Sequence, residues 1–186
     1  RRPGTRRDPL YSGRHLSDRP NILGFDGGRA LVMLFSEGEN RGLQRLDLEA
    51  GGLTRISIPG LEDGMTYGPI VDRHLNQLVG VGVTRDDLPE QIFIDTELAG
   101  IQTALLGALG TDRVQLESWS ADRSIIVVSA FSRGEPEVFY VFNNAAGEVS
   151  VLGEAYPGLA GQDFGEVVSL SYEAGDGLAI PALLTL

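Results

Sequence analysis

The chain has 186 residues, 42% of them apolar and 22% charged, with 25 Gly, nine Pro, no Cys and a net charge of −11. That length is enough for a domain with a core. The lack of Cys excludes disulfides, thiolate metal sites and a cysteine nucleophile. All 15 basic residues are Arg, so a P-loop lysine, a Schiff base and a Ser–Lys dyad are excluded too.

Residues 1–20 carry six Arg against Asp8 and Asp18, a local charge of +4, and form a basic lead-in or the end of a preceding element. The other 166 residues hold nine Arg against 24 acids, a charge of −15. An acidic body repels phosphate backbones, so nucleic acid is not an expected partner. No apolar run is long enough to cross a membrane as a helix, and no signal peptide is visible. A chain opening Arg-Arg-Pro without Met reads as part of something longer.

One pattern then occurs three times. Asp26-Gly27-Gly28-Arg29 precedes the β-rich run 30–35, Asp72-Arg73-His74-Leu75-Asn76-Gln77 precedes 78–83, and Ala121-Asp122-Arg123-Ser124 precedes 125–131. The three Asp residues lie 46 and 50 positions apart. A leading strand is expected at 21–25, 66–71 and 114–119, and a third strand at 43–48, 91–95 and 138–142. A closing strand is expected at 53–58 and 149–152. The middle unit lacks one, because Leu98, Ile101, Leu105, Leu106 and Leu109 fall at helical spacing and predict a helix over 98–109.

Four short strands in a repeat of 40–50 residues is the period of a β-propeller blade. A four-stranded twisted sheet must stack on neighbours to bury its faces, and Asp-containing turns suit its hairpins. The expected fold is therefore all-β, a partial β-propeller of about three four-stranded blades with one short helix. Its blades are 21–60, 61–112 with the helical insertion, and 113–165. A hairpin over 166–186 follows, with strands at 167–172 and 178–186 around a turn at 173–177. Fewer than four blades leave strand edges open, so self-association through those edges is expected.

The tail from Val168 to Leu186, Val-Ser-Leu-Ser-Tyr-Glu-Ala-Gly-Asp-Gly-Leu-Ala-Ile-Pro-Ala-Leu-Leu-Thr-Leu, resembles a junction in the prolyl oligopeptidase family of serine peptidases. In that family this segment passes from the propeller to an α/β-hydrolase domain. The branch resembled is that of the acylaminoacyl- and dipeptidyl-peptidases, and Trp119-Ser120-Ala121-Asp122-Arg123-Ser124 is similar to its blade turns. Gly175 stands where the family more often has Arg. The resemblance implies a non-catalytic propeller part that gates peptide substrates for an α/β-hydrolase domain of the same protein. It implies no cofactor.

No catalytic, cofactor-binding or metal residue is assigned within the chain. None of its twelve serines lies in G-x-S-x-G, and His15 and His74 precede the junction, so neither matches the family's triad His. Glu62-Asp63 and Asp86-Asp87 are adjacent acids whose side chains diverge, which suits neither a glycosidase pair nor a calcium loop. Gly80-Val81-Gly82 lies in a strand and lacks the third glycine and following helix of a dinucleotide fingerprint, so it reads as small residues lining a crowded propeller axis. Trp119, Phe131, Phe139, Tyr140 and Phe142 read as core. The rival reading is a free-standing β-repeat interaction module with no enzyme attached. A lactonase-type propeller would need an acidic metal centre that this chain does not supply.

Overall fold

A computed structural model describes residues 19–36, 41–61, 67–85, 88–159, 161–162 and 164–186. Within these, the chain is all-β apart from one α-helix and a single 3-10 turn at Pro157–Leu159. The first sheet is antiparallel in the order β1 (Asn21–Asp26), β2 (Ala30–Phe35), β3 (Gly42–Asp47), β4 (Leu53–Arg55). The second has three strands, β5 (Tyr67–Asp72), β6 (Gln77–Arg85) and β7 (Leu88–Phe93). Helix α1 (Thr96–Leu109) follows it. The third sheet again has four strands, β8 (Arg113–Trp119), β9 (Ile125–Phe131), β10 (Val138–Asn143) and β11 (Glu148–Glu154). A separate hairpin of β12 (Val167–Glu173) and β13 (Ala179–Thr185) closes the series. These antiparallel sheets of four, three, four and two strands are consistent with the expected all-β, partial propeller-like fold.

The strands form where β-branched and large apolar residues cluster, and the middle strands of each sheet carry the core. In β2, Val32, Met33 and Phe35 are buried, and Met33 and Phe35 cluster with Leu46 from β3. In β9, Ile126, Val128 and Ala130 are buried. The outermost β11 is exposed on nearly every residue, including Val151 and Leu152. Trp119, Phe131, Phe139, Tyr140 and Phe142 are half-buried.

Two boundaries differ from expectation for local reasons. The closing strand of the first sheet stops at Arg55, although the Ile56 N–H still donates to the Leu43 carbonyl. Beyond it Ile58 is buried and Pro59-Gly60 turn the chain. The third strand of the middle unit starts earlier and ends at Phe93, because Asp95 is not a strand residue. Its carboxylate accepts the N–H groups of Glu97 and Leu98 and caps α1. Gly110, in the left-handed conformation at φ 66°, ends the helix.

The chain divides into two compact units. One comprises the residues up to Gly82 together with Ile92–Ile94, and the other comprises Val83–Gln91 with Asp95–Leu186, so the division runs through β6 and β7. In the first unit Gly80 is a place of close approach: an added Cβ would sit 2.6 Å from the Ile92 carbonyl oxygen and 3.1 Å from Phe93 Cα. Gly82 is different, with nothing within 4 Å of its own Cβ position. Close packing against β7 in this Gly-Val-Gly run thus falls on Gly80 and not on Gly82.

Candidate functional site

The three Asp turns recur in space as hairpins, each solved with different chemistry. At β1–β2, Gly27 (φ 63°) and Gly28 (φ 74°) supply the left-handed backbone, and the Asp26 carboxylate pairs with Arg45 instead of capping the turn. At β5–β6, buried Asp72 accepts the N–H groups of His74 (2.9 Å) and Leu75 (3.1 Å), and Asn76 takes φ 52°. At β8–β9, Asp122 accepts the Ser124 N–H and the hydroxyls of Ser120 (2.6 Å) and Ser124 (2.8 Å). The hydrogen bond from Ser120 does most to hold the Asp122 carboxyl down, at about 2, with those from Ser124 adding to it.

Arg123 in the third turn is left-handed at φ 57° although it is not glycine, and it is buried. Its guanidinium forks onto Asp95, Nη2 to Oδ2 at 2.7 Å and Nη1 to Oδ1 at 3.0 Å, and Nη1 also reaches Glu97 Oε2 at 2.7 Å. One arginine thereby ties the N-terminus of α1 to the β8–β9 turn. Burial pushes the Asp95 carboxyl up, but the Arg123 guanidinium and the Leu98 and Glu97 N–H groups outweigh it and hold it below the usual carboxylate range. One guanidinium is shared between two carboxylates, and the cluster braces α1.

A cleft of about 300 Å³ opens in the same unit, between β7, α1 and β8. It is lined by Arg85, Glu90 and Gln91, by Gln102, Thr103 and Leu106 of α1, and by Asp112, Arg113 and Val114. Most of these groups already bond to protein. Arg85 pairs with Glu90 at 3.1 Å, and Thr103 Oγ1 donates to the Ala99 carbonyl. Gln102 donates to the Val114 carbonyl at 3.0 Å. The Gln91 amide bonds Leu116 twice, donating to its carbonyl and accepting its N–H. Two amide side chains therefore satisfy the outer backbone edge of β8, where a neighbouring strand would otherwise pair.

Arg113 is the exception. Its Nη1 donates to the Asp112 carbonyl at 2.9 Å, and its buried Nε has no hydrogen-bond partner. Among the described residues this is the one buried side-chain polar atom in that condition. An unsatisfied buried donor costs about 1–3 kcal/mol, and more on a charged group.

His74 lies in the β5–β6 turn. His15, Glu62-Asp63 and Asp86-Asp87 lie outside the described residues. Among the described residues no three His, Asp or Glu side chains group as a metal site, and no helix is long and apolar enough to cross a membrane. Arg113 and Arg123 were not legible as site residues, because their partners depend on how the helix docks. Asp95 did have a signal, in Asp-Thr-Glu ahead of a helical apolar pattern. Comparison with protein-family models and with curated proteins gives no match.

Proposed function

We propose that this chain is the non-catalytic propeller portion of a prolyl-oligopeptidase-family serine peptidase. In this reading it gates and positions small peptides for an α/β-hydrolase domain in the same protein. The nucleophilic Ser, the His base and the Asp that orients it belong to that domain, in keeping with a chain that has no G-x-S-x-G.

The observation that carries the reading is the terminal hairpin, where the family resemblance is most specific. β12 and β13 pair in one unbroken antiparallel register from Val167↔Thr185 to Glu173↔Ala179. Their turn is closed by Gly177 at φ 85°, with the Asp176 carboxylate accepting the Leu178 N–H at 3.1 Å. Gly175 has nothing within 4 Å of its Cβ position, so the turn does not require glycine there on steric grounds at Cβ. Three meander sheets in succession before this hairpin agree with blades. The exposed Val149, Val151 and Leu152 of β11 suit an edge that meets another blade, and in the chain taken alone they favour self-association.

The reading requires the coding sequence to run past Leu186 into a domain of about 250 residues containing G-x-S-x-G. The resulting protein should cleave short peptides and spare folded proteins. A stop codon near Leu186 would contradict it and favour the free-standing interaction module.

A further inference from the structure

We propose that the cleft between β7, α1 and β8 binds a small ligand carrying a single carboxylate on an apolar group, with the carboxylate held by Arg113. The inference does not depend on the peptidase reading. A guanidinium offers five N–H donors in a planar fork, and in this structure the Asp112 carbonyl is its one protein acceptor among the described residues. A carboxylate matches that fork in two parallel hydrogen bonds. Taken by Nη2, with the side chain turned so that Nε joins it, such a group supplies the acceptor that Nε lacks.

The remaining walls narrow the ligand. Gln91, Gln102 and Thr103 have their bonds within the protein and leave few polar demands unmet. Leu106 of α1 is 38% exposed and Val114 is buried, so both give the cleft an apolar side. Glu90 is occupied by Arg85, and Asp112 accepts the Arg133 N–H at 3.0 Å, yet both keep negative charge near the opening. Two Arg against two acids leave the cleft formally neutral, which disfavours a dianion such as phosphate and suits a monoanion. The volume, about 300 Å³, lies at the small end of ligand sites and fits a group the size of one amino-acid residue. A free short-chain carboxylic acid and the C-terminal residue of a peptide share this chemistry.

The test is a titration of the 186-residue chain, followed by backbone amide NMR, with four probes. They are 4-methylpentanoate, N-acetyl-leucine, N-acetyl-leucinamide and inorganic phosphate. Both acids should shift the amides of Thr103, Arg113 and Val114, while the leucinamide binds at least about tenfold more weakly. A free acid as natural ligand predicts equal affinity for the two acids, and a peptide end predicts that N-acetyl-leucine is the tighter. Arg113→Gln should weaken both by about tenfold or more. Leu106→Glu, on the exposed face of α1, should repel them similarly and decides the matter if the Arg113 variant does not fold. Acid and amide binding alike, phosphate binding as tightly as the acids, absence of binding, or undiminished affinity in the folded variants would each overturn the proposal.

Discussion

The first and third sheets share topology but not the means of holding it. Both are four-stranded meanders opened by an Asp-containing turn. In the first, two glycines adopt the left-handed turn at no steric cost, and Asp26 is released to pair with Arg45. In the third, Arg123 takes the same backbone region with a side chain, and its bonds to Asp95 and Glu97 hold it there. The difference shows that a repeated fold needs a repeated geometry and not a repeated residue. It also shows what the second solution adds, since a glycine cannot reach out to fasten a helix.

Arg123→Ala is the largest expected break in this comparison. It removes the guanidinium from a mostly buried ion pair and leaves Asp95 with only the Glu97 and Leu98 N–H groups, for a loss of about 3 kcal/mol. The Glu97 contact adds little, because that carboxylate is 55% exposed. Arg123→Gly loses the same bonds but regains the left-handed allowance, so it should be less harmful than Ala by about 1 kcal/mol. Gly27→Ala, in the turn with no such brace, should cost about 1–2 kcal/mol through backbone strain alone. Denaturant unfolding of the three variants checks the order. Arg123→Ala no worse than Gly27→Ala would remove the bracing role.

The smallest effect is a pH dependence in which both units take part. The folded pKa of Asp95 is lowered, and that of Asp122 is lowered to about 2. Asp47 in the other unit is lowered as well, first by the Ala50 N–H and then by that of Glu49. Lowered folded values contribute stability above the unfolded carboxylate pKa, near 3.9, and lose it as the pH falls through the folded values. Stability should therefore decline on acidification from about pH 4 towards pH 2, and less steeply in Asp122→Asn and Asp47→Asn. An unchanged slope in both variants would contradict this assignment.

These contrasts mark how far the sequence is readable. The runs 30–35 and 125–131 are strands to the residue, because each is a short, mostly apolar run of strand length between polar turns. The Leu-Ile-Leu spacing placed α1 within two residues, short only of its Asp95 cap. What escaped depends on side chains meeting across long separations. Arg123 is 28 positions from Asp95, and Gln91 is 25 from the Leu116 backbone it satisfies. Neither spacing leaves a local mark, and Arg113 reads as one more charged residue at the start of a strand until α1 walls the cleft beside it.

The central claim, that the chemistry belongs to a domain joined to this chain and not to the chain itself, is most directly tested with a serine-directed fluorophosphonate probe. It should be applied in parallel to the 186-residue chain and to the protein encoded by the complete reading frame. The account predicts one labelled serine in the complete protein, within a G-x-S-x-G beyond Leu186, and no label on the chain alone. Labelling of any of the chain's own twelve serines would contradict it, as would a complete protein that the probe leaves unmarked.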